Sequence, residues 1–248
     1  MGDFFRRAGR VVAGRLLPRI AYPVLCGPLR GARFVLGSLA GEGGGASVYV
    51  NQLERHQTAA LVDVLQPGQA FFDIGANVGY YTVLGSRLVG PSGSVLAIEP
   101  VLRNLAFLHR HLILNDCRNV SVMAAACSNA FSLASFSAGS NFATGHLEPE
   151  SARPTTRDQW SLVPIVRVDD VVDRIGTAPD VMKIDVEGAE LDVLRGADAA
   201  LRSKHPRVFL SVHSDELRRS CLDFLSALGY RATPLVPEEI RPTEYILA

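Results

Sequence analysis

Along most of the chain the apolar positions switch between two periods. Short apolar runs bounded by Gly, Pro, Asn or Asp read as strands over 71–74, 94–98, 120–125, 163–168, 180–185 and 207–213. Between them, residues 53–65, 102–114, 168–175, 189–201 and 215–228 carry apolar side chains at helical spacing. Strand and helix in strict alternation predict an α/β fold, a Rossmann-like doubly wound and mostly parallel sheet flanked by helices. After Gly229 come two strand-like runs, Tyr230 to Leu235 and Glu244 to Leu247, which suit an antiparallel hairpin at the sheet edge.

Two stretches break the alternation. Residues 3–20 place Phe4, Ala8, Val11, Val12 and Leu16 on one helical face, with Arg6, Arg7, Arg10, Arg15 and Arg19 between them. Such a basic amphipathic helix can lie on an anionic membrane surface, but more commonly such a helix caps the domain or meets a partner with its arginines in water. The second stretch runs from Ala138 to Leu162 after a short strand over 133–137 and holds Asn141, Phe142, His146 and Trp160. A loop this long reads as a cover over the binding site, or else as a solvated, partly disordered insertion. Gly41-Glu42-Gly43-Gly44-Gly45 is a flexible break that divides an N-terminal extension, 1–45, from a main domain, 46–248.

Composition narrows this picture. With 248 residues, 48% of them hydrophobic and 20% charged, the chain can build one sizeable core. The formal net charge is zero, so nothing argues for bulk nucleic-acid binding. Cys26, Cys117, Cys127 and Cys221 form no C-x-x-C pair, which suits a reducing, cytoplasmic setting. No apolar run approaches the roughly 20 residues that span a bilayer, and arginines and prolines interrupt the early apolar stretch where a cleavable signal would lie.

The candidate chemistry centres on Phe71-Phe72-Asp73-Ile74-Gly75-Ala76-Asn77-Val78-Gly79-Tyr80. A buried strand ends in Asp73, and glycines then open a turn into a helix. In an open α/β sheet, ligands sit beyond the carboxyl ends of the strands. Dinucleotide folds share such glycine loops, but here Asn77 and Tyr80 stand where their second and third glycines would be. The next strand ends in Glu99-Pro100, about 20 residues on, the reach of a carboxylate that grips a ribose diol. Strand, Asp-x-Gly loop, helix, strand, Glu is the pattern of S-adenosylmethionine binding.

In these segments the chain resembles the FkbM-type methyltransferases. Asp73 to Thr82 and Glu99-Pro100 are similar to the family's first two motifs. Val168-Asp169-Asp170 is similar to its Leu-Asp-Asp step, and Met182-Lys183-Ile184-Asp185-Val186-Glu187-Gly188-Ala189-Glu190 to its most distinctive block. The resemblance covers about residues 53–231 in the family's order. It implies a class I methyltransferase fold and S-adenosylmethionine as cofactor, held through Asp73, Gly75, Asn77, Gly79, Tyr80, Glu99 and Pro100. Asn104 matches a polar position near the ribose, and Glu54 a glutamate near the cofactor, although each can equally be a surface residue. Ala126 and Cys127 would form the turn against adenine, with Cys127 otherwise an inert small hydrophobe. The acceptor implied by analogy is a hydroxyl of a sugar, glycan or natural product.

Methyl transfer from a sulfonium is an in-line displacement, so alignment dominates and a hydroxyl acceptor benefits from a base. Asp185 and His213, at neighbouring strand ends, are the candidates, and Asp185 also stands beside the sulfonium. Glu187 is balanced between a catalytic and a helix-start role, whereas Glu190 reads as a carboxylate complementing a helix dipole. The family pattern has Glu two places before the histidine, and this chain has Ser211. Asp185, Glu187 and His213 could also present ligands to a divalent ion, but no further spacing asks for one. Two other classes stay open: a non-catalytic cofactor-binding or scaffold module, and a dinucleotide-dependent oxidoreductase, which Tyr80 disfavours.

Overall fold

The computed structural model describes residues 20–38, 46–138, 145–147, 160–236 and 243–248. The basic helix expected over 3–20 and the Gly-rich break at 41–45 lie almost wholly outside them, as does most of 138–162.

The central layer is a seven-stranded sheet. Its strands are β3 (Ala70–Ile74), β4 (Ser94–Ile98), β5 (Val120–Met123), β10 (Val181–Ile184), β11 (Arg207–Ser211), β12 (Ala232–Pro234) and β13 (Glu244–Leu247), in the spatial order β12-β13-β11-β10-β3-β4-β5. The pairs β3–β4, β4–β5, β3–β10 and β10–β11 are all parallel, and β13 runs antiparallel to both β11 and β12. The expected edge hairpin is present, with its second strand inserted beside β11. From β3 the chain winds outward to β5, then returns to β10 and winds the other way. The topological switch point, where such sheets bind ligands, therefore lies between β3 and β10.

Helices cover both faces: α2 (Arg55–Val64), α3 (Tyr80–Val89) and α4 (Leu102–Leu114) on one, α5 (Val168–Ile175), α6 (Glu190–Gly196), α7 (Asp198–Lys204) and α8 (Asp215–Ala227) on the other. A four-residue turn of helix, α1 (Ala46–Tyr49), precedes them. Every residue of β3 and β10 is buried, as expected of strands covered on both faces. Alternate residues serve the two cores: Phe72, Ile74, Met182 and Ile184 face one, Phe71 and Val181 the other.

Four sequence expectations are corrected. The single helix expected over 189–201 is two. A Cβ at Gly196 would run into the carbonyl of Ser128, so glycine is needed for that approach. The second helix then starts afresh, with the Asp169 carboxylate accepting from the amides of Ala199 (3.0 Å) and Ala200 (2.9 Å). Second, Ala126–Cys127 is a strand, β6, rather than a free turn. It pairs in parallel with β9 (Trp160–Val166), which also pairs with β7 (Ser132–Ala138), and β8 (Gly145–Leu147) completes this smaller sheet. Third, β9 begins at Trp160, inside the stretch expected to be irregular. Fourth, residues 20–38 do not form a separate extension. They make a hairpin, β1 (Ala21–Pro23) and β2 (Arg33–Val35), whose Val24, Leu29, Ala32 and Phe34 are buried in the same core as α2 and α3. His111 on α4 ties it down: Nε2 accepts from the Val35 amide (3.0 Å), while Nδ1 lies 2.6 Å from the Val78 carbonyl in the glycine loop. Burial holds that imidazole's pKa below its usual range, which suits the neutral ring this bridge requires.

Candidate active site

A cavity of about 560 Å³ opens at the carboxyl ends of β3, β4 and β10. That lies within the range of roughly 300–1,000 Å³ typical of cofactor sites. Its floor is the glycine loop. Gly75 has φ 82°, and a Cβ there would collide with the Asp185 carbonyl, so glycine lets the loops after β3 and β10 touch. Asn77, at φ 51°, is also left-handed, a conformation Asn tolerates better than most residues. Gly79 (φ 90°) starts α3, and a Cβ would strike Leu108 on α4.

Glu99 organises one end. Its Oε2 accepts from the Asn77 amide (2.8 Å), and its Oε1 from the Val101 amide (2.9 Å) and Asn104 Nδ2 (3.1 Å). Three donors fix the carboxylate, and two oxygens with about four lone-pair sites leave capacity for a ligand. Beside it the wall is small: Ala125, Ala126 and Cys127. The Cys127 thiol is pushed up to about 12 by burial and is inert.

The other end is charged. Lys183, only 2% exposed, reaches Asp185 Oδ2 at 3.1 Å and lies 5.0 Å from the centre of the Tyr81 ring. Burial works against both charges. Lys183 offsets it for Asp185, whose pKa ends below the usual carboxylate range, and Asp185, Asp73 and Glu54 raise that of Lys183. Glu54 lines the cavity in a left-handed conformation, φ 39°. Surrounding protein, then Asp185 and Asp73, raises its carboxyl, although its side chain still meets solvent through the opening.

Just past β11, His213 meets three carboxylates. Nδ1 lies 3.0 Å from Glu190 Oε1, and Nε2 lies 3.3 Å from Glu187 Oε2 and 3.6 Å from Asp185 Oδ1. The Glu190 hydrogen bond, helped by the charges of Glu187 and Asp185, outweighs burial and raises His213 to about 9. An unperturbed imidazole titrates near 6.5, so the three carboxylates draw this ring toward its protonated form at neutral pH. Ligand atoms of Asp185, Glu187 and His213 lie within 4.8 Å of one another, close enough to hold a cation. In this state the ring itself supplies the positive charge that the carboxylates face.

Ten of the twelve expected cofactor contacts line the cavity: Glu54, Gly75, Asn77, Tyr80, Glu99, Pro100, Asn104, Ala126, Cys127 and Asp185. Asp73 and Gly79 do not. Asp73 is fully buried beneath the floor and accepts from Thr82 Oγ1 at 2.6 Å, so it fastens the loop to α3. Gly79 serves the packing of α3 on α4. Glu187 also lines the cavity, while His213 stands behind it beside Asp185. Sequence reasoning passed over Lys183 and Tyr81. A lysine inside an otherwise apolar core strand, two residues before an acid, was the signal for the first.

The residues present fit S-adenosylmethionine. Glu99 keeps acceptor capacity for a diol, the Ala125–Cys127 wall leaves room for a flat base, and Glu54 and Asp185 offer negative charge to a cationic sulfonium and ammonium. Strand order and site together define a class I methyltransferase architecture. Residues 73–232 match the Methyltransferase FkbM domain, and the chain belongs to that family. Among solved structures it is similar to a methyltransferase FkbM from Methylobacillus flagellatus KT, with TM-score 0.53 and 16% identity over 99% of this chain. It spans 60% of that longer protein. An rRNA methylase from Streptococcus thermophilus superposes with TM-score 0.50 at 10% identity, over 80% of this chain and 95% of the other. At such identities the likeness shows the fold. No curated protein matches the sequence.

Proposed function

We propose that the protein transfers the methyl group of S-adenosylmethionine to a hydroxyl oxygen of a small molecule or glycan, such as a sugar or a natural-product alcohol. The observation that carries this is the His213 imidazole, set among Asp185, Glu187 and Glu190 at the far side of β10 from Glu99. A hydroxyl must lose its proton as its oxygen attacks, and a sulfonium needs no activation, so a base on the acceptor side is the group an O-methyltransferase requires. In the step, the O–C bond forms as the C–S bond breaks. The sulfur leaves as a neutral thioether, and the hydroxyl proton passes to Nε2. Because His213 is raised to about 9, the base form grows as pH rises toward that value. The rate of transfer should therefore climb through neutral and mildly alkaline pH.

The zero net charge and the carboxylates of Glu54, Asp185 and Glu187 at the site support a small acceptor over a polyanion such as RNA. A cofactor-binding module without transfer is the second reading, and the protonated His213 at pH 7 is what favours it. Screening hydroxyl acceptors at pH 7 and pH 9 separates the two. Transfer that grows with pH supports the enzyme, and tight cofactor binding with no transfer at either pH supports the module. The described residues include no helix long and apolar enough to cross a membrane.

A further inference from the structure

We propose that Glu190 is the positioning residue for His213: it fixes the ring through Nδ1, so that only Nε2 is presented to the acceptor. The proposal rests on the methyl-transfer reading above. Glu190 opens α6 and its side chain is 0% exposed. Its Oε1 accepts from the amides of Gly188 (3.0 Å) and Val186 (3.4 Å), and the same oxygen meets His213 Nδ1 at 3.0 Å. A buried carboxylate held by two backbone donors is a rigid anchor. His213 itself is 38% exposed and lies two residues past the end of β11, so its Nδ1 edge is held by Glu190 while its Nε2 edge meets the side chains of Glu187 and Asp185.

A helix-start carboxylate is ordinarily explained by the dipole or by loop closure. Two observations go further. The loop amides need only a neutral acceptor, yet a full carboxylate stands here, and its Oε2 has no hydrogen-bond partner among the described residues. On the other edge of the ring, Nε2 points between Asp185 Oδ1 and Glu187 Oε2 at the cavity. Carboxylate, Nδ1–H, ring, Nε2 is the order in which an acid orients a histidine, keeps the proton on one nitrogen and leaves the other as the proton acceptor. During transfer the acceptor proton lands on Nε2, and the positive ring that results is stabilised by Glu190 beyond it. The charged groups facing the ring are thus Asp185 at the end of β10, Glu187 in the following loop and Glu190 on α6.

The test is nitrogen-resolved NMR of His213 in the full chain, parent and Glu190→Gln, with adenosylhomocysteine affinity measured by calorimetry in both. Glutamine can still accept from Gly188 and Val186 but lacks the charge. In the parent above about pH 10, where an imidazole is neutral, the remaining proton should sit on Nδ1. In Glu190→Gln the proton affinity of His213 should fall at least about tenfold, with adenosylhomocysteine affinity within about twofold of the parent. A neutral parent ring carrying its proton on Nε2 overturns the proposal without any variant. Unchanged titration in Glu190→Gln overturns it as well. If the variant does not fold, the parent tautomer still decides. Failure of the parent to bind adenosylhomocysteine sinks the methyl-transfer reading instead, while the NMR result continues to judge the Glu190 contact.

Discussion

Replacing Glu99 with glutamine keeps its volume and removes its charge, and the structure says where the damage falls. One oxygen serves Asn77, and the other serves both Val101 and Asn104. A glutamine amide can satisfy the pair by turning its oxygen toward Val101 and Asn104, but its NH₂ then faces the Asn77 N–H. One charge-assisted hydrogen bond becomes a donor–donor contact, a loss of about 1.5–3 kcal/mol. In a chain of this length about 2 kcal/mol lowers Tm by roughly 4–8 °C. A ribose diol loses a charged acceptor too, so Kd for adenosylhomocysteine should rise by about 10- to 100-fold. Calorimetry on parent and variant reads the affinity, and thermal unfolding reads the stability. The penalty in affinity should nearly vanish for an analogue without ribose hydroxyls. Equal affinity of parent and variant for the natural cofactor would show that Glu99 only braces the loop.

Gly75→Ala forces a side chain into a left-handed position against the Asp185 carbonyl; it should cost at least about 1–3 kcal/mol and abolish cofactor binding, read by calorimetry on whatever soluble protein remains. Lys183→Met removes the partner of Asp185 from a buried site, and breaking such a pair should destabilise by about 3–5 kcal/mol in chemical unfolding. His213, raised to about 9, contributes stability that is complete below its unfolded value near 6.5 and fades as pH climbs through 9. Tm should therefore decline over that window in the parent, and the decline should shrink in His213→Gln. Glu244 acts in the same direction at lower pH, but here it is the charged form that the fold disfavours. Burial and its neighbours Glu54 and Asp185 push its carboxyl to about 7, so the folded state holds a proton that the unfolded state releases, and stability drops as pH rises from about 4.5 to 7. Glu244→Gln should raise Tm at pH 8 and change it little at pH 4.5.

What the sequence disclosed, and what it hid, divides along physical lines. The core strands were legible because burial on both faces leaves continuous apolar runs, and Asp73, Glu99 and Asp185 mark their ends. The edge hairpin followed from Gly229 and two short runs. By contrast, β1 and β2 are three residues each, and Phe34 and Leu29 are buried in a core shared with elements distant in sequence. No local period reports that, nor the bridge from His111 to Val35 and Val78. The break between α6 and α7 depends on Gly196 meeting Ser128 and on Asp169 capping from another helix, again a distant cause. In the site, residue type pointed to the cofactor wall, because Asn77 and Glu99 act through local geometry. The raised proton affinity of His213 was not legible there, because it follows from three carboxylates that converge only in the fold. Of the expected cofactor contacts, Gly75 lines the cavity and Gly79 does not, and the space that a Cβ would fill at either is taken up by protein, which no local pattern reports.

Transfer of a methyl group to oxygen is read most directly by single-turnover transfer from methyl-labelled S-adenosylmethionine to a panel of sugars, glycans and natural-product alcohols. Label should appear in an O-methyl ether of at least one acceptor, at a rate that climbs from pH 7 toward pH 9 and falls about 10²–10⁴-fold in His213→Ala with cofactor affinity little changed. Label found on nitrogen or carbon, or full activity in His213→Ala across that pH range, would contradict it.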